Sequence, residues 1–212
     1  MIGILDYGMG NLRSVQKAFE FIDGPRAILV TQPEQLAGCE KIVLPGVGNF
    51  ADGMAQLRER RLVEPVTDFA RGGRPLLGIC LGMQLLLSDS TEDAPPGQTT
   101  AGLDLVPGHV VGFDPHPDGG PRLKVPHMGW NRLDPVRGSP LFAGLEAVGD
   151  DHAYFVHGYF CVPEDPGVVA ATTDYGRSFC AAIHADNLWA MQFHPEKSQR
   201  VGLRLLHNFA TL

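Results

Sequence analysis

The chain has 212 residues, 24 acidic against 17 basic, and a formal net charge of −7; that is length enough for one substantial core and the wrong sign for a general nucleic-acid binder, whose footprint is a basic patch or stripe. Nothing approaches the apolar run of a membrane-spanning helix, and residues 1–6 enter a strand with no charged leader before them, so the expectation is a soluble, cytoplasmic protein with no membrane or nucleic-acid partner. The 4 cysteines, Cys39, Cys80, Cys161 and Cys180, form no C-x-x-C pair, and neither a zinc site, nor any other metal site, nor a disulfide framework is expected.

Residues 2–6 read as a first strand, followed by Leu12, Val15, Phe19 and Ile22 at helical spacing with Asn11 as the N-cap. The intervening Gly8-Met9-Gly10 invites a dinucleotide reading. The third glycine of that fingerprint would fall at Arg13, so no cofactor is expected. Residues 27–30 and 42–44 read as the next strands, the latter running into Pro45-Gly46-Val47-Gly48-Asn49-Phe50 and a helix with Met54 and Leu57. A Gly-rich loop at the carboxyl end of a strand lies at the rim where open α/β sheets bind ligands. Alone it is either an ordinary βα turn or a source of a backbone N–H for an oxyanion.

Pro75-Leu76-Leu77 and Ile79 form the short apolar run of a buried parallel strand, and Met83, Leu85, Leu86 and Leu87 continue as helix. Strands alternating with helices up to this point predict a parallel sheet with right-handed crossovers. The pattern then changes. Residues 88–102 are acidic and Pro-rich and read as a surface loop, as do 114–120, whereas 110–113, 123–125, 153–156, 168–172, 179–184 and 188–193 are strand-like. The last two, split by Ala185-Asp186-Asn187, predict a hairpin, and a terminal helix carries Val201, Leu205 and Phe209. The expected fold is a single α/β domain over residues 1–212, a three-layer sandwich with a mainly parallel central sheet plus antiparallel additions.

Cys80 falls at the junction of strand and helix, with Gly78 and Gly82 at i−2 and i+2. This is the G-x-nucleophile-x-G spacing of a nucleophile elbow with sulfur in place of oxygen. Glycine is needed there because a sharp strand-to-helix turn leaves no room for a Cβ on either side. Unpaired N–H groups at the start of the helix favour thiolate over thiol. The bland alternative is a small inert core cysteine, the reading adopted for Cys39, Cys161 and Cys180. Near the carboxyl end, His194-Pro195-Glu196 places an imidazole and a carboxylate two residues apart, on one side of an extended chain, with Pro195 steering His194 from helical dihedrals. Alone it reads as a surface turn; with a cysteine elbow upstream it supplies the base and the orienting carboxylate of an activated nucleophile. The other histidines carry no such signal.

Gly78-Ile79-Cys80-Leu81-Gly82-Met83-Gln84 together with Gln192-Phe193-His194-Pro195-Glu196 resembles the class I, or triad, glutamine amidotransferases. Asp6-Tyr7-Gly8-Met9-Gly10-Asn11-Leu12, Pro45-Gly46-Val47-Gly48, Val125-Pro126-His127-Met128-Gly129-Trp130-Asn131, Phe155-Val156-His157-Gly158-Tyr159 and His194-Pro195-Glu196-Lys197-Ser198 are similar to segments of the glutaminase subunits of imidazole glycerol phosphate synthases. The resemblance implies hydrolysis of L-glutamine to glutamate and ammonia, with ammonia passed to a cyclase subunit in a heterodimer that makes imidazole glycerol phosphate and aminoimidazole carboxamide ribotide for histidine biosynthesis. It implies that Cys80 is the nucleophile, His194 the general base and acid, and Glu196 the residue orienting His194. It further implies that Leu81 and the loop of Gly46, Val47 and Gly48 furnish oxyanion donors, that Gln84 helps hold glutamine, and that Asn11, Met128, Trp130 and Lys197 face the partner. The family often has a hydroxyl residue where this chain has Gly158 and a glycine where it has Gln199. An amidotransferase subunit for another acceptor, a stand-alone cysteine hydrolase and a binding module without catalysis are the competing readings.

Overall fold

The computed structural model describes every residue except Asp23, Asp118, Gly119, Pro121 and Arg137, so that residues 118 and 119 of the expected solvated loop lie outside the described residues. The amino-terminal half runs β1 (Ile2–Leu5), α1 (Leu12–Phe21), β2 (Ala27–Val30), β3 (Lys41–Gly46), α2 (Phe50–Glu59), α3 (Val63–Arg71), β4 (Leu76–Cys80) and α4 (Leu81–Leu85). The rest runs β5 (Leu87–Ser90), β6 (Thr100–Ala101), β7 (Val106–Gly112), β8 (His127–Arg132), β9 (Asp134–Pro135), β10 (His152–His157), β11 (Tyr159–Pro163), β12 (Val169–Asp174), β13 (Ser178–Ala185), β14 (Leu188–Met191) and α5 (Gln199–Thr211).

The main sheet has the order β2-β1-β3-β4-β14-β13-β11-β7-β5-β6, with β12 and β9 branching from β13. The steps from β2 to β14 are all parallel, and from β14 through β13 and β11 to β7 the sheet turns antiparallel. Period-two alternation splits the strand residues between two cores: Ile2, Ile4, Val43, Leu77 and Ile79 pack with Val15, Phe19, Leu205 and Phe209 on one face. Leu5, Ile42, Leu44 and Leu76 pack with Met54, Leu57, Val66 and Phe69 on the other. A sheet hydrophobic on both faces needs a helical layer on each, and α1 and α5 cover one side while α2, α3 and α4 cover the other. Each fully buried Leu, Ile or Phe contributes roughly 1.5–3 kcal/mol to this arrangement. The end of α5 is pinned by the buried Lys41, whose Nζ donates to the carbonyls of Phe209, Ala210 and Leu212, satisfying acceptors that a helix terminus leaves unpaired.

The parallel half follows the sequence pattern closely; the departures lie mostly beyond it. The helix after Cys80 stops at Leu85, not Leu87, because Leu85 and Leu86 carbonyls accept from Leu103, Leu105 and Val106 N–H groups and Leu87 starts β5 beside β7. The loop expected over residues 88–102 is therefore shorter: residues 88–90 belong to β5 and 100–101 to β6, and only 91–99 connect the two strands. The expected strand at 123–125 is absent, and the chain pairs only from His127, past Pro126, which has no N–H to give a ladder. β8 and β10 form a separate antiparallel ribbon. Helix α3 and strand β11 had no counterpart in the sequence reading; in α3, Val66, Phe69 and Ala70 are buried, and Pro65 in the first turn, where proline is tolerated, masks the helical pattern. Asn11 stands at the N-cap of α1 but its side chain makes no capping bond. The hairpin of β13 and β14 forms as expected, with Asp186 at φ 53° in its turn.

Candidate active site

Parallel pairing assembles the site. Gly46, at the end of β3, lies in register with Cys80, at the end of β4. Met191, near the end of β14, pairs with Ile79, so the chain leaving β14 carries Gln192, Phe193 and His194 to the same rim. Cys80 has φ 54° and ψ −110°, a conformation costly for a residue with a Cβ and characteristic of strained functional turns. The elbow closes because its glycines have no side chains: a Cβ on Gly82 would overlap the Leu44 carbonyl, and one on Gly78 would lie 2.8 Å from the Gly82 oxygen. With only five residues in α4, the electropositive surroundings of the sulfur come from the free N–H groups of one turn, Leu81 first among them, more than from a long helix dipole.

His194 has φ −96° and ψ 97°, and Pro195–Lys197 form a tight 3-10 turn. The turn, not an extended chain, brings the two side chains together: His194 Nδ1 donates to Glu196 Oε1 at 2.9 Å, with both side chains buried. That leaves Nε2 free to face Cys80, which lines the same cavity and whose Sγ lies 3.8 Å from the Val156 carbonyl. Burial pulls the imidazole down, but the sulfur of Cys80 and the carboxylate of Glu196 outweigh it and push the pKa up to about 10. An imidazole held by a carboxylate beside a cysteine is the arrangement of an activated nucleophile. Ser198 holds the base in place: its hydroxyl donates to the His194 carbonyl at 2.6 Å and accepts from Tyr154 N–H at 2.9 Å. Glu196 Oε2 is buried without a hydrogen-bond partner among the described residues.

A cavity of about 170 Å³ opens onto Cys80 and His194 and is lined also by Val47, Gly48, Leu81, Gln84, Glu92 and Lys197. Its wall is a set of amides: Gln84 Nε2 donates to the Tyr159 carbonyl at 3.0 Å and to Gln192 Oε1 at 3.1 Å, and Gln192 Nε2 lies 3.9 Å from Cys80 Sγ. Gly46 does not line the cavity. It lies beneath, where a Cβ would meet the Tyr7 hydroxyl at 2.5 Å and the Leu81 Cβ at 2.8 Å, while Gly48, at φ 106°, turns the loop over the sulfur. Glu92, half-buried, accepts from Phe50 N–H at 2.7 Å, and burial pushes its carboxyl up. In the sequence Glu92 falls in an acidic, Pro-rich loop; only the pairing of β5 with β7 and β6 returns that loop to the cavity.

Met128 and Trp130 point outward from β8 and are 58% and 46% exposed. The Trp130 ring meets Tyr154 edge-on at 5.8 Å, and Lys197 Nζ lies 5.8 Å above the same Tyr154 ring. Asn11 is exposed beside the same rim, since Gly10 packs near the Gly46 backbone. A larger hollow of about 1020 Å³, lined by Leu133, Pro135, Phe142, Leu145 and Asp151 among others, lies away from the cysteine, and among the described residues it holds no cysteine and no histidine. At its edge Asp150, Asp151 and His152 could reach one ion, but Arg132 already pairs with Asp151 at 2.9 Å.

The glutamine amidotransferase class-I family model matches residues 11–211. The subunit HisH of imidazole glycerol phosphate synthase from Syntrophotalea carbinolica is 53% identical over 100% of both chains, and that from Geobacter sulfurreducens 52% identical over 100% of this chain and 98% of its own. In fold, PurLQS from Thermotoga maritima superposes with a TM-score of 0.71 at 19% identity, over 99% of this chain and 97% of that one. By its family match and its full-length relatives, this chain belongs to the class-I glutamine amidotransferases.

Proposed function

We propose that the chain is the glutaminase subunit of an imidazole glycerol phosphate synthase, hydrolysing L-glutamine and delivering ammonia to a cyclase subunit in histidine biosynthesis. The observation that carries the chemistry is the buried line from Glu196 through His194 to Cys80 at a strained elbow. The full-length likeness to two HisH subunits supports the choice of pathway.

In this mechanism the Cys80 thiolate adds to the side-chain amide carbon of glutamine, and the carbonyl oxygen becomes an oxyanion facing the N–H of Leu81 and those of the Val47-Gly48 loop. His194 gives its proton to the departing nitrogen, ammonia leaves, and a thioester remains on sulfur. Water then adds, losing a proton to His194, and the tetrahedral intermediate collapses to glutamate and free thiolate. The α-amino end of the substrate finds its counter-charge in Glu92, and Gln84 fixes the amino-acid backbone. Loss of one oxyanion donor typically costs about 10²- to 10³-fold in rate, so movement of a loop bounded by Gly46 and Gly48 is a strong switch. Ammonia released into bulk water is protonated and loses its nucleophilicity. The cyclase therefore docks over the cavity in a one-to-one pair, against Met128, Trp130, Lys197 and Asn11. Glutamate release with and without the cyclase subunit and its nucleotide ligand tests the reading: release that rises on complex formation is expected, and a chain that neither binds the cyclase nor hydrolyses glutamine in its presence would overturn it.

A further inference from the structure

A second pair of buried imidazoles takes no part in the chemistry above, although one of them, His157, lines the same cavity. His127 and His157 face each other across the β8–β10 ribbon and are 3% and 5% exposed. His157 Nδ1 is 2.8 Å from the Tyr159 carbonyl, and its Nε2 is 3.2 Å from His127 Nδ1. His127 Nε2 is 3.3 Å from Asn131 Nδ2, which also donates to the Asp174 carbonyl at 2.7 Å. A carbonyl can only accept, so His157 carries its proton on Nδ1. Its Nε2 therefore accepts, His127 also carries its proton on Nδ1, and His127 Nε2 accepts from Asn131. Every member has one partner of the correct kind, and the chain runs in one direction, from Asn131 to Tyr159. A second proton on either ring would set two N–H groups against each other. Both pKa values accordingly lie low, at about 4 for His127 and about 3 for His157, chiefly through burial.

The His127 ring cannot turn away. It is stacked between Tyr175 at 4.0 Å and Phe155 at 4.9 Å. The chain ends on the carbonyl that also accepts from Gln84. We propose that His127 is a positioning residue for the hydrolytic site: clamped between two aromatic rings, it donates to His157 Nε2, holds that ring with its Nδ1–H on Tyr159, and so fixes the carbonyl on which the Gln84 amide rests. β8 alternates, with His127 and Asn131 turned inward and Met128 and Trp130 outward, so the strand that forms the exposed rim also orients the cavity wall. The kinetic part of this inference rests on the glutaminase reading; the tautomer part does not.

The test uses the chain in complex with the cyclase subunit, with glutamine as substrate. His127→Phe keeps the ring stack and removes the donor. It is expected to raise KM for glutamine about 10-fold, the factor that goes with one lost buried hydrogen bond, while kcat changes less than about 3-fold because Cys80, His194 and Glu196 are untouched. His127→Asn, whose amide can donate from near the Nδ1 position, recovers part of the loss. Asn131→Ala, which leaves the packed rings alone, raises KM about 2- to 3-fold. Nitrogen-15 spectra of the imidazoles, which need no substrate, report Nδ1–H on both His127 and His157 in the wild type and, in His127→Phe, a shifted His157 Nε2 resonance, because that nitrogen loses its donor while Nδ1–H stays on the Tyr159 carbonyl. An unchanged His157 Nε2 resonance in that variant, or an unchanged KM beside an active wild type, overturns the inference. Wild-type enzyme that releases no glutamate in the complex would instead sink the glutaminase reading, and the spectra would still decide what His127 does.

Discussion

Two pairs of buried side chains, each built around an imidazole, flank the same cavity and are tuned in opposite directions. His194 has a carboxylate at 2.9 Å and sulfur on its other side, and its pKa is pushed up to about 10. His157 and His127 have each other, a carbonyl and an amide, and are pushed down to about 3 and about 4. Burial lowers all three. The partner decides the outcome: an anion compensates a buried charge, whereas neutral dipoles in a closed chain leave room for one proton per ring. One pair is thereby suited to moving protons and the other to staying fixed.

The largest effects come from dismantling the charged pair. Cys80→Ala or His194→Ala is expected to reduce kcat for glutamine hydrolysis at least about 10⁴-fold, since members of such a unit fail together. Full activity in either variant would remove the assignment. Glu196→Gln is a sharper probe, because it converts the charged environment of His194 into one resembling that of His157. It should cost about 10²- to 10⁴-fold in kcat and lower the pKa of His194, which would appear as loss of Cys80 alkylation by iodoacetamide at neutral pH. Alkylation as fast as in the wild type would mean that the carboxylate does not sustain the ion pair.

These pairs were unequally legible in the sequence. His194-Pro195-Glu196 shows because its members are adjacent in the chain, although the turn that joins them, Pro195–Lys197, differs from the extended geometry expected. Cys80 shows because a Cβ is sterically excluded at both Gly78 and Gly82, and steric exclusion leaves a residue-type signature. His127 and His157 lie thirty positions apart and meet only through the register of β8 on β10, which no local spacing encodes. Glu92 was hidden for the same reason. Likewise the parallel half of the sheet, whose strands are continuous apolar runs, was readable from β1 to β4, whereas β8 and β11, with mixed faces and long connections, depend on partners distant in sequence.

A milder perturbation, pH, sets the two pairs against each other in folding stability. Below the unfolded value of 6.5, the unfolded chain protonates His127 and His157 while the folded protein does not. Their contribution is complete above pH 6.5 and is lost as pH falls toward about 4 and then about 3, by up to ~1.4 kcal/mol per pH unit for each ring. For His194 the sign is reversed: its contribution is complete below pH 6.5 and is lost as pH rises toward about 10. Urea unfolding across this range should show stability falling on both sides of pH 6.5. His127→Phe should flatten the acid limb alone and Glu196→Gln the alkaline limb alone; equal changes in both limbs would break the distinction between the pairs.

The smallest expected effect tests how the charged pair is anchored. Ser198 bonds the His194 carbonyl, and the next residue, Gln199, must start α5 from φ 49°, a left-handed value that costs a residue with a Cβ about 1–2 kcal/mol. Glycine removes the steric cost but gives back part of it, about 0.5–1 kcal/mol, in unfolded-chain entropy. Gln199→Gly should therefore stabilise the protein by roughly 0.5–1 kcal/mol in urea unfolding, with kcat and KM unchanged because Gln199 does not line the cavity. If kcat falls while stability rises, the strained residue is itself part of what holds His194 against Cys80, and the anchoring of the charged pair extends into the first turn of α5.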